Sequence, residues 1–561
     1  MTAIDPIRFE VLRNALVEVT EEMSAALRRS AFSTNIKTRA DFSCALFDAD
    51  LAVVSQAFNQ ADHLGSLSQS VPQAVRAYGP GRLEPGDALL TNDPELGGTH
   101  LNDITLISPV FADGEIWGYV ANLAHHVDVG GGAPASIGVF REVFQEGVII
   151  PPVKLVRRTE IDDDVLRLVL AQVRSKRETR GDIRAQHAAN VTGQRRLSAM
   201  IADIGAAELR RYVDELYEYT SRRTAAQLGR LPQGVFRATG TIDNDGITGT
   251  TVHLQAAIEI TPETVRFDLT GCDVQRPGPV NSTLSQTYSA CAYVLKSVID
   301  PDTPVNAGFY RFISVDAPSG TVVNRRHPAP VVGGWETNQR LTDVMFRALL
   351  PALPHTVAAS AKATTCHAGF GAIDLETGDY TCFLETLGGG FGGRFASDGP
   401  DAVQSGGQNT ENAPVEETEL NYPVRIERYE LVVDSDGPGR HRGGLGIRRD
   451  YHFPDHEVTF TVLADRDREG PAGAFDGGPG RRARYVLNPG PREVELSSKT
   501  TVQLSKGDTV RYETCGGGGY GPVDERSPDA VIRDVLDGYI TAERAVAVYG
   551  VPPGLLSEGV T

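Results

Sequence analysis

One short stretch of the chain concentrates side chains that commonly bind metals. Residues 92–132 read NDPELGGTHLNDITLISPVFADGEIWGYVANLAHHVDVGGG and hold three of the chain's 12 histidines. The metal-ligand types in this stretch are His100, Asp103, His125, His126 and Asp128. Imidazole and carboxylate groups are usual protein ligands of Zn, Mn and Fe. The sequence therefore predicts a divalent transition-metal site, provided that these side chains converge.

A β-hairpin would bring the two ends of this stretch together. Two runs of strand-forming residues, 104–111 and 115–126, flank Asp113-Gly114. An Asp-Gly dipeptide between two such runs is typical of a two-residue hairpin turn. The hairpin returns the histidine pair to the side of the His-x-x-Asp segment.

The register of this hairpin leaves the ligand set open. With Asp-Gly as the loop, His125 lies opposite Asn102. His100 then shares a face with His125, and Asp103 shares a face with His126, because cross-strand partners point the same way. Strand parity alone does not decide which histidine binds. The alternative is a polar hairpin end with hydrogen-bonded histidines, but the clustering favours a metal.

The flanking patterns predict the elements that position this hairpin. Asp5 and Pro6 are typical of a helix start, and apolar residues recur at helical spacing up to Leu27. An extended pair is expected over 42–56. Residues 160–230 favour helices, with predicted breaks at Gly181 and after residue 230.

The order of elements predicts an α+β fold with several domains. Helices and mainly antiparallel sheets mix without regular β-α alternation, and a β-rich region comes late in the chain. The predicted domains are an N-terminal metal-site domain with a helical segment (1–230), a mixed α/β middle domain (231–424), a β-rich domain (425–525) and a short helical tail (526–561).

Composition narrows the class of protein. The chain has 561 residues and a formal net charge of −19, which disfavours binding to nucleic acid or to anionic membranes. No signal peptide and no run of 18 apolar residues is present. The six cysteines are scattered, which predicts buried thiols and a cytoplasmic location.

Glycine-rich signals do not indicate a nucleotide or serine-hydrolase site. Residues 388–393 and 516–521 each match G-x-G-x-x-G, but neither lies in a β-turn-α unit, so tight turns are expected. The first run could instead approach a ligand, because glycine lets backbone N–H groups come close. A Gly-Lys dipeptide and a G-x-S-x-G motif are both absent.

Short motifs recur along nearly the whole chain, and the most distinctive is the run N-D-P-x-x-G-G-T-H-x-x-D, which returns through A-H-H. Further motifs are DFSCA (41–45), HLGS (63–66), GD and AQ (181–186), GPVNS (278–282), PVNAGFYR (304–311), GGWETNQRLTD (333–343), ETLGGGFGGR (385–394), NAPVEETELNYPVRIERYEL (412–431), GGLGIRRDY (443–451) and CGGGGYG (515–521). In this order they resemble the motifs of the hydantoinase B/oxoprolinase family, which also includes the large subunits of acetone carboxylase. One departure is QSGGQN at 404–409, where family members often carry a His- and Thr-rich stretch.

The resemblance implies roles for particular residues. Asp41 would be a fourth ligand or a catalytic base, His126 a proton-transfer group, and His63 a substrate-binding residue. For His63 and Asp128 a purely structural role is equally expected. The implied metal ligands are His100, Asp103 and His125.

The resemblance also implies an activity and a partner. The chain would be the metal-dependent catalytic subunit of an ATP-dependent hydrolase that opens hydantoin, 5-oxoproline or another lactam. A hydantoinase A-type subunit, in a heterotetramer or larger assembly, would bind ATP and Mg and phosphorylate the substrate. The alternatives are the large subunit of an ATP-dependent ketone carboxylase and a non-catalytic scaffold for an ATPase partner.

Overall fold

The computed structural model describes residues 4–57, 59–63, 65–373 and 378–558. Leu64, in the middle of the quoted HLGS motif, lies outside the described residues, as do the last three residues of the predicted tail. Within the described ranges, helices combine with four sheets in which nearly all strand pairs are antiparallel. The predicted α+β class is confirmed.

The helices of the described residues are α1 (Pro6–Ser30), α2 (Thr34–Lys37), α3 (Ser66–Tyr78), α4 (Asp163–Leu170), α5 (Lys176–Ile204), α6 (Ala206–Leu228), α7 (Leu284–Val298), α8 (Ala307–Tyr310), α9 (Gly334–Leu349), α10 (Val415–Asn421), α11 (Pro528–Leu536), α12 (Ala542–Ala547) and α13 (Pro553–Glu558). The predicted start of α1 is confirmed, since the Asp5 carboxylate accepts the N–H of Ile7.

The strands are β1 (Phe42–Asp48), β2 (Val53–Gln56), β3 (Ala88–Thr91), β4 (Asp103–Ala112), β5 (Glu115–His125), β6 (Val153–Arg157), β7 (Glu160–Ile161), β8 (Gly234–Ile242), β9 (Val252–Ile260), β10 (Val265–Asp268), β11 (Ile313–Asp316), β12 (His367–Ile373), β13 (Tyr380–Thr386), β14 (Arg425–Leu431), β15 (Ile447–Phe453), β16 (Val458–Leu463), β17 (Arg484–Leu487), β18 (Val494–Leu496), β19 (Lys499–Leu504) and β20 (Asp508–Glu513). The predicted hairpin, β4–β5, and the predicted extended pair, β1–β2, are both confirmed.

The first sheet carries the hairpin at its centre, in the order β2-β1-β5-β4-β3-β6-β7. Alternate residues of β5 face opposite cores. Val120 and Ala124 pack toward α1 and α5, whereas Ala121 and Leu123 pack into the core shared with the second sheet. Since both faces of the strand are covered, its register is firmly specified.

Helix α5 crosses the first sheet without interruption, so the predicted break at Gly181 is wrong. Gly181 lies inside the helix, and a Cβ there would come within 2.3 Å of the Phe32 ring. This glycine therefore allows α5 to pack closely against Phe32. The other predicted break is confirmed, because α6 ends at Leu228 and β8 begins at Gly234.

The remaining sheets are β11-β10-β9-β8, β13-β12-β16-β19 and β14-β15-β20-β17-β18. Only β10 and β11 pair in parallel among the described strands. The third sheet joins strands from both sides of residue 425. The four domain ranges stay predictions, and α11 to α13 show that the described part of the tail is helical.

The two glycine runs lie against each other, so the prediction of tight turns is wrong for most of their length. The N–H of Gly390 donates to the carbonyl of Cys515, and that of Gly393 donates to the carbonyl of Gly518. A Cβ on Gly390 would lie 2.1 Å from backbone atoms of both Gly444 and Gly517. These glycines allow close contact between backbone segments.

Two further sequence predictions concern cysteines and membranes. All six cysteines are buried and unpaired, as predicted. Among the described residues, no helix combines the length and the apolar character needed to cross a membrane.

Candidate metal centre

The hairpin places a carboxylate and an imidazole side by side. Asp103, the first residue of β4, pairs with His125, the last residue of β5. The sequence-based register, with His125 opposite Asn102, is wrong by one residue. Val110 pairs with Gly118 and Phe111 with Ile116, so Trp117 is an extra residue on the returning strand. Such a β-bulge shifts the pairing of everything beyond it.

The bulge has an identifiable cause. The Trp117 side chain is buried in the core beneath α1 and α5, and its indole N–H donates to the carbonyl of Ala206 at 3.0 Å. The next residue is Gly118, where a Cβ would lie 2.3 Å from the carbonyl oxygen of Phe47 on β1. The buried indole holds the additional residue in place, and the glycine that follows it lets β1 approach.

Asp103 is held by three neighbours. Its Oδ2 lies 2.9 Å from Nδ1 of His100, and its Oδ1 lies 3.3 Å from Nδ1 of His125. The hydroxyl of Thr99 also donates to Oδ2. The two imidazole rings have centroids 4.7 Å apart. All four side chains are buried, so a precise arrangement of nitrogen and oxygen atoms is fixed inside the protein.

These groups fit a metal ion. One ligand atom from each of His100, Asp103 and His125 lies within 4.8 Å of the others. The Nε2 atoms of both histidines are buried and have no hydrogen-bond partner. Buried polar atoms normally have partners, so these two nitrogens are free to serve as metal ligands. Two imidazoles and a carboxylate suit Zn, Mn or Fe.

The charges of the cluster depend on one another. Burial opposes ionisation of Asp103, but His100 and His125 outweigh it and hold the pKa of this carboxyl well below its usual range. Burial lowers the pKa of His125. Burial also acts against the charge of His100, yet the neighbouring Asp103 carboxylate raises its pKa. An ionised carboxylate is the form that binds a cation.

The cluster forms one wall of a cavity with about 360 Å³ of space between its atoms, open solvent at the mouth included. The cavity lies where the end of the first sheet meets the start of α9 and the third sheet. Its lining combines charged, amide and apolar groups: Arg39, Asp41, Gln60, Asp62, His63, His100, Asp103, His125, Trp335, Thr365, His367, Leu384, Thr386 and Gln408.

Asp41 and His63 line this cavity, but neither belongs to the three-residue cluster. Asp41 Oδ1 lies 3.4 Å from the Gln60 amide nitrogen. His63 is fixed through Nδ1, 3.1 Å from the hydroxyl of Ser43. Burial lowers the pKa of His63, so a neutral ring faces the cavity. The structure thus brings both residues to the cavity.

His126 and Asp128 lie elsewhere. The Nε2 of His126 is 3.0 Å from the side-chain oxygen of Gln186 on α5, and His126 is not among the lining residues. Asp128 forms an ion pair with Arg174 at 2.9 Å. His126 follows His125 directly, and alternation along the chain sends it to the opposite face of the sheet.

Several lining residues carry no role in the sequence-based prediction. Trp335 and His367 come from distant parts of the chain, and Asp62 precedes the predicted His63. Trp335 lies in the quoted GGWETNQRLTD motif, and this motif was the sequence feature that could have indicated its place at the cavity. Burial, together with the negative charge of Asp41, raises the pKa of Asp62 well above its usual range. Gln408 lies in the stretch that departs from the family pattern.

Arg39 supplies a buried positive charge at the same cavity. Its guanidinium donates to the carbonyl of Leu384 at 2.9 Å and to the hydroxyl of Thr386 at 2.7 Å. Its Nε has no partner. Burial lowers the pKa of Arg39, while the nearby Asp41 carboxylate acts in the opposite direction. The cavity therefore offers a cation as well as carboxylates.

Two solved structures resemble this fold over almost its whole length. The ATP-dependent caprolactamase from Pseudomonas jessenii has a TM-score of 0.90 and 28% identity, covering 98% of this chain and 97% of that one. Nucleotide-free acetone carboxylase has a TM-score of 0.89 and covers 97% of this chain and 79% of that one. At 20% identity, the second likeness shows the fold alone.

Sequence comparisons identify the family. An uncharacterised protein of Methanocaldococcus jannaschii is 37% identical over 98% of this chain and 96% of its own length. The putative B-type component of a D-/L-hydantoinase from a Pseudomonas species is 31% identical over 98% of this chain and 95% of its own length. The chain spans only 42% of Arabidopsis thaliana 5-oxoprolinase 1, at 31% identity. Since the profile of the family also matches residues 5–523, this chain belongs to the hydantoinase B/oxoprolinase family.

Proposed function

We propose that this chain is the metal-dependent catalytic subunit of an ATP-dependent cyclic amide hydrolase. The buried cluster of His100, Asp103 and His125 at the wall of a cavity carries the proposal. Relatives named as a putative hydantoinase component and as 5-oxoprolinase, together with the caprolactamase fold, support the substrate class. The substrate is a hydantoin, 5-oxoproline or another lactam.

The need for ATP follows from the chemistry of an unstrained amide. Its carbonyl is a poor electrophile, and phosphorylation of the carbonyl oxygen creates a good leaving group. This sequence has no Gly-Lys phosphate loop. A hydantoinase A-type partner would therefore bind ATP and Mg and phosphorylate the ring, and this chain would hydrolyse the activated product. The assembly proposed is a heterotetramer or larger.

The cavity residues would have different roles in the reaction. His100, Asp103 and His125 would hold a divalent Zn, Mn or Fe ion, which would supply Lewis acidity to a carbonyl or to water. Asp41 takes or gives a proton. The positive charge of Arg39, which lines the cavity, attracts the negative charge of the activated substrate. His126 is left out of the reaction because it contacts α5, and it acts by holding the end of the hairpin.

The similarity in fold to acetone carboxylase gives a second candidate function, the carboxylation of a ketone. A ketone carboxylase would use the same fold and metal site to join an enolate and CO₂. The acetone carboxylase chain is longer, since the match covers 79% of it. A non-catalytic scaffold is the third possibility, and it would have no need of a metal cluster.

The experiment co-expresses this chain with a hydantoinase A-type ATP-binding protein. ADP and ring-opened product are measured in the same tube with hydantoin, 5-oxoproline and simple lactams. We expect Asp103→Ala to abolish ring opening while substrate-stimulated ADP release continues, because phosphorylation takes place on the partner.

Asp128→Asn is the matched control, since Asp128 is a buried carboxylate of the same hairpin end that pairs with Arg174 instead. It should retain ring opening. Normal ring opening by Asp103→Ala would exclude a catalytic metal cluster. A requirement for bicarbonate, with a carboxylated product, would replace the hydrolase by the carboxylase.

A further inference from the structure

An imidazole and a carboxylate lie together where the third sheet meets the cavity. His367, the first residue of β12, lines the cavity, and its backbone pairs with Thr386 on β13 and with Leu463 on β16. Its Nδ1 lies 3.6 Å from Oε1 of Glu336, in the first turn of α9. We call His367 and Glu336 the dyad. Because a strand that is paired on both sides carries the imidazole, its place at the cavity is well defined.

The carboxylate of the dyad is completely buried. Glu336 accepts the hydroxyl of Thr364 at 2.6 Å and the backbone N–H of Thr365 at 3.1 Å. Within the described residues, His367 is the only basic side chain in ion-pair range of this carboxylate. The contact is longer than a hydrogen bond, as is common for catalytic pairs before substrate binds. A carboxylate beside one ring nitrogen orients an imidazole and stabilises its protonated form.

The second ring nitrogen of His367 meets the cavity. Nδ1 is enclosed by protein atoms, whereas Nε2 is not enclosed and makes no hydrogen bond with the described residues. Two other acidic or basic groups of the cavity are less suited to give a proton. Burial lowers the pKa of His63, so its ring is neutral. Asp62 faces the amide of Gln339, and a Cβ on Gly407 would lie 2.3 Å from its Oδ1, so backbone covers this carboxyl.

Opening of a phosphorylated lactam needs a proton at the ring nitrogen. Water adds to the activated carbon, which then bears a hydroxyl, the phosphoryl oxygen and the nitrogen. If the C–N bond breaks, the nitrogen takes the electron pair together with a proton. An acyl phosphate remains, and a second water hydrolyses it to carboxylate and phosphate. If the C–O bond breaks instead, phosphate takes the electron pair, the hydroxyl loses its proton, and the lactam forms again.

The choice between these two routes decides whether ATP is used productively. Phosphate is a better leaving group than an amine that has not been protonated. Without a proton donor, the tetrahedral intermediate therefore returns to lactam, and the ATP is wasted. A donor beside the ring nitrogen reverses this preference, because a protonated amine leaves readily.

We propose that His367, positioned by Glu336, gives the proton of Nε2 to the ring nitrogen and so directs the intermediate to ring opening. This inference rests on the proposed function and names the residue that couples ATP use to C–N cleavage. Asp41, at the same cavity, takes the proton of the hydroxyl as the new carbonyl forms. Solvent returns a proton to His367 after the amine has left.

The test follows both routes in water that is labelled with heavy oxygen. The co-expressed pair receives ATP and δ-valerolactam, and ADP, ring-opened product and the label in recovered lactam are measured. Loss of phosphate from the tetrahedral carbon leaves the label in the lactam, whereas attack of water on phosphorus returns the lactam unlabelled. We expect His367→Gln to lower the ratio of ring-opened product to ADP by about 100-fold, as loss of a general acid predicts, and to label the recovered lactam.

His452→Gln is the matched control. His452 lies on β15, where its Nδ1 contacts the hydroxyl of Thr509, and it does not line the cavity. This variant should match the unmutated pair in ratio and in label. If His367→Gln unfolds at a lower temperature than the unmutated chain, His367→Phe, which fills the volume of the ring, makes the same test.

Glu336→Gln tests the positioning of the imidazole. It keeps the shape of the side chain and removes its charge, so it should also label the recovered lactam, to a smaller extent than His367→Gln. A loss of stability alone would not introduce this label. Unlabelled lactam with a normal ratio would show that Glu336 does not act through His367.

The outcomes for His367→Gln separate its possible roles. An unchanged ratio would overturn the proposal. A lower ratio with unlabelled lactam would also overturn it and would assign His367 to the addition of water. An equal loss of ADP and ring-opened product would assign His367 to substrate binding and would likewise overturn it. Absence of ring opening in the unmutated pair would instead reject the proposed function itself.

Discussion

Adjacent histidines at residues 125 and 126 have different environments although they share a residue type. His125 belongs to the cluster with His100 and Asp103, whereas His126 contacts Gln186 on the other face of the sheet. The sequence-based register left this choice open. Two neighbouring residues of a strand end point to opposite faces, so substitution of one histidine provides the control for the other.

His125→Ala should remove the bound metal, while His126→Ala should retain it. His125 offers an imidazole to the cluster, and even residues that only orient a ligand change metal affinity by about 10–100-fold. His126→Ala should instead destabilise the fold by about 2 kcal/mol, because it leaves a cavity and an unpaired side-chain oxygen on Gln186. Elemental analysis of protein purified without chelator, combined with urea unfolding, checks both outcomes. Metal retained by His125→Ala would refute the assignment.

Local patterns could predict the hairpin that holds the candidate metal ligands, but they left the choice of histidine open and could not predict most of the remaining cavity. The convergence of His100, Asp103 and His125 could be predicted because a hairpin joins residues that are close in sequence. Trp335 and His367 reach the same cavity from distant elements, α9 and β12, through packing that no local pattern encodes. The residue type of Asp62 alone did not indicate a place at the cavity, since carboxylates are common on protein surfaces.

At the scale of elements, the strands of the hairpin could be predicted but their exact pairing could not. The turn dipeptide Asp113-Gly114 and the two apolar runs predict β4 and β5 closely. Nothing in the sequence marks Trp117 as an extra residue, because the bulge depends on how its indole packs under neighbouring helices. Tertiary packing also explains Gly181, which allows α5 to contact Phe32.

Gly193 provides a test of how α5 packs on the sheet that carries the candidate metal site. A Cβ at this position would lie 2.4 Å from the sulfur of Met23 on α1 and 3.1 Å from Val120 on β5. Gly193→Val should therefore destabilise the fold by about 1–3 kcal/mol through overpacking. Ala188→Val, at an exposed position of the same helix, is the control and should change stability little.

Urea unfolding of the two variants checks this prediction. A free energy of unfolding that is equal in Gly193→Val and Ala188→Val would mean that α5 is not packed closely against α1. Gly193 does not line the cavity that holds His100, Asp103 and His125. We therefore expect Gly193→Val to lower metal content only as far as it lowers the fraction of folded protein.

At the scale of the whole molecule, we expect the isolated chain not to bind ATP. The sequence lacks a phosphate loop, and its formal net charge of −19 repels a polyphosphate. The glycine-rich runs contact each other through their backbones, so they do not form a free anion-binding loop. Calorimetry with ATP and Mg should detect no binding at micromolar concentrations, and the co-expressed pair is the positive control. Binding by the chain alone would contradict the proposed division of labour.

Trp117 also bears on how this site can be recognised in other sequences. A relative could keep every letter of N-D-P-x-x-G-G-T-H-x-x-D and of A-H-H and still lack the tryptophan between them. Its hairpin would then pair without the bulge, and the carboxylate would still lie opposite the first histidine of the pair, because every pair beyond the bulge already skips residue 117. A relative that is one residue shorter in this hairpin can therefore keep the same facing pair. A relative that keeps the residue but pairs it regularly would instead place an alanine, the equivalent of Ala124, opposite the carboxylate.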